Sequence, residues 1–275
     1  MLHSASTRRY YAVVFLARLA AFLVLVVYAL AAPARFLADL TGVPHPTSPI
    51  LICWLLLMAS MIFRLFPSKV ESLGCQKEFA GRFRPTGQAP DPGEVRQADL
   101  GALRVLLFWT AANALFFLGY AKGWLDRRFL VCLAGFYGVC DIVCILFYCP
   151  FQSWLMRNRC CATCRIFDWD YLMLCTPQLA VPTPLTLSAC ALALFVFLRW
   201  EVTYRRHPER FFESANDALR WPTAMSSCAA TSGGWPGGSI DERRPCHWAR
   251  PLFTLPGPPG PRSAGGCGRT APRRR

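Results

Sequence analysis

Apolar residues in this chain fall into long unbroken runs separated by polar stretches, without the alternation that barrel strands facing lipid need. Five runs stand out, at 11–32, 49–66, 100–120, 129–149 and 182–200. At 1.5 Å per residue, a helix of about twenty residues crosses a hydrocarbon core roughly 30 Å thick. In lipid only helices and closed barrels satisfy their own backbone groups. The pattern therefore predicts an all-α fold: a small polytopic helical membrane bundle of about five transmembrane helices, or four plus a re-entrant segment. The ambiguity lies at 171–180, a short amphipathic or re-entrant piece ahead of the fifth run, where Pro177, Pro182 and Pro184 break any continuous helix.

The segments between the runs differ in character. Arg8 and Arg9 ahead of the first run look like the charged start of a signal peptide, but the run is long and lacks a small-x-small cleavage site. A retained helix is the better reading, with Arg18 carrying its guanidinium out to the headgroups. A polar loop follows at 67–99, and it holds little core material of its own. A Cys-rich loop occupies 149–170. The basic juxtamembrane segment 201–220 is expected to lie on the membrane surface. The last fifty-five residues, 221–275, hold nine Pro and nine Gly without a period, which is a disordered signature. A shift of reading frame near Arg220 would produce the same mixture of Arg, Pro, Gly and Ala.

Composition adds a check on the medium. Apolar residues make up 54% of the chain and charged residues 17%, against about 25% charged in ordinary soluble domains. The net charge of +14 points first to nucleic acid or anionic lipid. Much of it sits in the tail and the rest in short loops beside apolar runs, so no nucleic-acid partner is expected; the lipid bilayer and its anionic headgroups are. Counting Lys and Arg near helix ends puts ten on the side of the N-terminus, the second loop and the Cys loop. Seven fall on the other side, among them Arg35, Arg205, Arg206 and Arg210. By the positive-inside rule this places the N-terminus and the Cys loop in the cytoplasm of a multi-pass cell-membrane protein.

Fourteen Cys are present, and at least six (Cys53, Cys132, Cys140, Cys144, Cys175, Cys190) lie in or against apolar runs as small soft hydrophobes. The chemistry concentrates in the loop, where Cys149, Cys160, Cys161 and Cys164 fall within sixteen residues. Cys161-Ala-Thr-Cys164 has the spacing with which two thiolates grip one tetrahedral ion, so a soft metal, zinc or iron, is one reading. Cys160 and Cys149 are the lesser ligands, because adjacent Cys160 and Cys161 point differently. Redox exchange is the second reading, since flanking Arg159 and Arg165 favour a thiolate. A third centres on Asp141, midway along the fourth run, where a carboxylate must be paired or neutralised. Tyr137 and Tyr148 share its face as hydrogen-bond donors, whereas Arg18 and Arg104 lie too near helix ends to be its partner. Asp141 is then a proton or ion relay, or packing glue. Asp168 and Asp170 are expected to cap Arg residues of their own loop. No phosphate loop, HExxH or Ser-His-Asp arrangement occurs.

The blocks Arg159-Cys-Cys-Ala-Thr-Cys-Arg-Ile-Phe-Asp-Trp-Asp170, Arg199-Trp-Glu-Val-Thr-Tyr-Arg-Arg-His-Pro-Glu-Arg210 and Asn216-Asp-Ala-Leu-Arg220 resemble an uncharacterised family of bacterial multi-spanning membrane proteins. The resemblance covers about 100–220 and implies a fold type and an inner-membrane location, not a mechanism. It also implies a Cys pair after the Leu-Arg block, where this chain has Trp221-Pro-Thr, so half of any ligand set would be missing here. The sequence thus leads to a non-enzymatic membrane component binding a soft metal through Cys161 and Cys164. A thiol-disulfide oxidoreductase or a small transporter around Asp141 is the alternative.

Overall fold

A computed structural model describes residues 2–158 and 161–220, with the side chains at 2–6, 8 and 161 outside the described set. Cys160 and the 221–275 tail also lie outside it. Among the described residues the fold is helical, with no strand beyond an isolated bridge between Pro85 and Asn216. The α-helices are α1 (Leu2–Ala31), α2 (Pro33–Thr41), α3 (Pro49–Arg64), α4 (Leu73–Gln76), α5 (Pro92–Ala121), α6 (Arg127–Leu146), α7 (Asp170–Cys175) and α8 (Pro184–Arg206). Four of them, α1 over Arg9–Ala31, α5, α6 and α8, are long and apolar enough to cross a membrane. Leu16, Val27, Leu107, Leu115 and Phe195 stand exposed on their outer faces. Such an apolar girdle suits lipid and would aggregate in water. The architecture is that of a multi-pass membrane protein.

Local signals set the helix ends. Asp91 accepts from Glu94 N–H at 3.2 Å with Pro92 in the first turn of α5, and Asp126 accepts from Phe129 N–H at 2.8 Å to start α6. Gly123, at φ 76°, makes the tight α5–α6 turn possible. Thr183 and Thr186 cap each other at the start of α8, behind Pro184.

The helices alternate in direction. The start of α3 packs against Phe36 and Leu130 at one end of the bundle, which we call the α2 end. Its last turn, Met61 to Arg64, reaches Tyr171 and Asp168 at the other, the loop end. At the α2 end Asp39 accepts from Ser48 Oγ at 2.5 Å and Tyr28 Oη at 2.7 Å, locking the corner between α1, α2 and α3.

The sequence reading is corrected in four places. First, the 171–180 piece carries the chain through the interior. It begins as α7 and tightens into a 3-10 turn, Thr176–Ala180, where Pro177 lacks the N–H an α-helix would need. Its far end, Ala180 and Val181, packs with Phe36, Ala29 and Leu130 at the α2 end. Irregular backbone is tolerable at that depth because it is buried in protein. Second, α8 therefore runs back to the loop end. This brings Arg205, Arg206 and Arg210 to the same end as the N-terminus and the Cys loop, not to the opposite one. Third, the 201–220 segment is not a separate surface helix, although Arg205 and Arg206 are exposed. Helix α8 continues to Arg206, and the chain then folds under the 67–99 loop, with Thr86 N–H on Ala215 O at 3.0 Å and Asn216 bridging Arg84. Fourth, that loop supplies core after all, since Cys75, Gln76, Lys77 and Glu78 are buried.

A reporter fused after Arg220 should register on the same membrane face as one fused ahead of α1. A reporter inserted in the 121–126 turn should register on the opposite face. Opposite sidedness of the two termini would contradict the crossing made by α7.

Candidate functional site

The loop end of the bundle is held by charges. Arg64, 4% exposed, donates through Nη1 to Asp168 Oδ1 at 2.6 Å. It also pairs with Glu71 at 3.1 Å and Asp170 at 3.5 Å. The rings of Tyr171 and Phe167 cover the guanidinium at 5.2 and 5.9 Å. Asp168 and Asp170 thus bind a cation from α3, not the loop's own Arg residues. Arg165, the loop cation, instead makes a two-pronged contact with Glu201 of α8 at 2.7 and 2.6 Å. Lys77 Nζ donates to Ala162 O at 3.0 Å and Cys164 O at 2.7 Å, fastening the polar loop to the Cys loop. Arg199 joins Leu65 O and Glu78, both at 2.6 Å.

Deeper in the bundle, Asp141 is paired with Arg18 of α1 at 2.5 Å, and Arg18 also donates to Gly138 O at 3.0 Å. The expectation that Arg18 is too near a helix end fails, because α1 starts at Leu2 and packs along α6 at Gly135, which leaves Phe22 room to sit close. Tyr137 packs on Trp109, ring centres 4.5 Å apart, and Tyr148 on Trp154.

Beside this ion pair lies a cavity of about 290 Å³. Cys140 and Cys144 of α6, Cys149, Cys164, Asp141 and Asp170 line it, with rings such as Trp109 and Phe151 forming its apolar wall. A turn closes the α6 side: Cys149 O accepts from Ser153 N–H and Oγ, both at 3.1 Å, as the chain winds into the π-helical turn Phe151–Met156. The same turn sets Cys149 beyond the end of α6, where it shares the cavity wall with Cys144. A hydrogen bond from Cys144, supported by the backbone of Gln152 and Phe151, draws the Cys149 thiol below its ordinary range. Burial pushes the Cys164 thiol the other way, up to about 12.

Of the sequence candidates, the structure thus gathers Cys149, Cys164 and Asp141 around one cavity. Cys161 opens a 3-10 turn, Cys161–Thr163, but its thiol and all of Cys160 lie outside the described residues. Cys144 and Cys140 were read as fillers of the fourth run. Their i, i+4 spacing already put them on one stripe, but nothing in the sequence brought Cys149 against it. Among the described residues no group of three or more Cys, His, Asp or Glu converges as a metal site.

Two buried carboxyls give the loop end a pH dependence. Burial raises Glu78 from 4.5 to about 8, against the help of Arg199, and raises Asp168 from 3.8 to about 6 despite Arg64. The folded chain then holds these protons more tightly than the unfolded chain. Their joint contribution to stability is complete below pH 3.8; the Asp168 part is lost as pH rises through about 6 and the Glu78 part through about 8. Thermal unfolding in detergent should therefore shift down by several degrees between pH 5 and pH 8. Glu78→Gln, which still accepts from Arg199, should flatten most of that slope. No known protein family, curated protein or solved structure matches the chain, so its role is read from this geometry.

Proposed function

We propose that this chain is a membrane thiol-disulfide exchange protein in which Cys149 is the nucleophile and Cys144 the resolving thiol. The observation that carries this reading is one cavity lined by Cys140, Cys144, Cys149 and Cys164, with the Cys149 thiol drawn below its ordinary range. A thiolate is the attacking species, and a lowered thiol pKa favours it. Cys149 attacks one sulfur of a partner's disulfide, and the partner's other sulfur leaves as thiolate. Cys144 then displaces the partner from Cys149, so the two cysteines are oxidised and the partner's disulfide is reduced. Cys161 and Cys164, the pair chosen from the sequence, stay an alternative pair for the same exchange, with the Cys161 thiol outside the described residues.

Orientation supports a reducing role. With Arg205, Arg206 and Arg210 at the loop end, the basic count of ten becomes thirteen, and the opposing seven becomes four. The positive-inside rule then puts the thiols and the N-terminus in the cytoplasm of a cell-membrane protein, with the basic loops facing anionic headgroups. In that compartment the pair rests as a dithiol and passes electrons outward to a partner.

A soft-metal site of zinc or iron at Cys161 and Cys164, with Cys160 and Cys149, is the second reading. It draws on one contact: Leu219 packs against Ala162, which lies between Cys161 and Cys164.

Iodoacetamide with peptide mapping separates the two. Cys149 should alkylate at pH 7 at least about tenfold faster than Cys164, and Cys144→Ala should slow it. Equal rates would end the dithiol reading. Purified protein retaining close to one equivalent of zinc or iron, lost on Cys164→Ser, would favour the metal. Less than about a tenth of an equivalent would exclude it.

A further inference from the structure

Resolution by Cys144 needs a place for its proton, and the cavity provides one. Building on the dithiol reading, we propose that Asp141 is the general base that takes the proton from Cys144 as that thiol displaces the partner from Cys149. Asp141 lies three residues before Cys144 on α6, so both project from one face, and both line the 290 Å³ cavity with Cys149. Arg18 engages only Oδ2, and Oδ1 takes no hydrogen bond among the described residues. The other carboxylate of the wall, Asp170, is paired with Arg64 through Oδ2 and comes from α7, whereas Asp141 shares a helix face with Cys144.

The charged and titratable groups facing Asp141 come from every element around it. Arg18 faces it from α1, Asp170 from α7, Cys140 and Cys144 from α6 itself, and Cys149 from the turn after α6. Arg18 also lies 5.7 Å from the Tyr171 ring, so the counter-charge is anchored on two helices. The step balances. The Cys144 S–H bond breaks, its proton passes to the Asp141 carboxylate, and its sulfur bonds to Cys149 Sγ. The partner leaves as thiolate and recovers the proton from Asp141. Two cysteine thiols are oxidised and one partner disulfide becomes two thiols.

The test uses the full chain in lipid nanodiscs, reduced and then mixed with glutathione disulfide as the probe, quenched with N-ethylmaleimide and mapped by mass spectrometry. The natural chain should form a transient Cys149–glutathione adduct that converts to the Cys144–Cys149 disulfide. Asp141→Asn should form the adduct within about tenfold of the natural rate but resolve it at least about 100-fold more slowly, the lower range of general-base effects. Asp141→Glu should restore resolution. Because Asp141→Asn leaves Arg18 without its partner, the paired Arg18→Gln, Asp141→Asn variant serves as a second form, and its adduct should persist equally. Resolution at the natural rate in either variant overturns the role of Asp141 and leaves the dithiol reading standing. Absence of any Cys149 adduct in the natural chain overturns both.

Discussion

A single buried guanidinium organises the loop end of this protein. Arg64 closes α3 and meets Glu71 from the polar loop, Asp168 from the Cys loop and Asp170 from the start of α7. Each carboxylate would be costly to bury alone, and the cation would be costlier still. Together they satisfy one another, which ties the 64–71 and 168–170 stretches of the chain to one point. Truncating Arg64 would leave three carboxylates without a counter-charge, the kind of loss that costs about 3–5 kcal/mol. The rings of Tyr171 and Phe167 shield the cluster from lipid and solvent and strengthen the interaction through lower local polarity.

That anchor also explains the broken helix. Asp170 is held at the loop end, and the residues after it must still reach the opposite corner where Val181 packs with Phe36 and Leu130. An α-helix alone would be too short over so few residues. Pro177 converts its second half to 3-10 geometry, which rises about 2.0 Å per residue against 1.5 Å. The extra length delivers Pro184 to the right end for α8 to return. Close approach at Gly138, where a Cβ would sit 2.9 Å from Leu174, lets this irregular piece nest against α6.

The thiol cavity is a by-product of the same arrangement. Helix α6 ends at Leu146, the chain turns, and Cys149 comes back against Cys144 while Lys77 pins the Cys164 carbonyl from the polar loop. Two thiols of one chemistry are thereby placed in different environments: the Cys149 thiol is drawn down, while burial outweighs every nearby donor and cation at Cys164 and pushes its thiol up. Asp141, which a helix-by-helix reading leaves stranded in lipid, is instead paired across α1 and α6.

Hydrophobic run length determined the helical membrane character, the approximate spans and the turns, because those depend on local hydropathy and on the caps Asp91, Asp126 and Thr183. The concentration of sulfur around 149–164 was equally legible. Tertiary structure decided the rest. Whether 171–180 crosses the interior, which end Arg205 and Arg210 share, whether Arg18 meets Asp141 and whether Cys164 joins Cys144 in one cavity all depend on packing between segments far apart in the chain. Such contacts carry no periodic signature, since a salt bridge between α1 and α6 or between α3 and a loop leaves each sequence segment looking as it would without its partner.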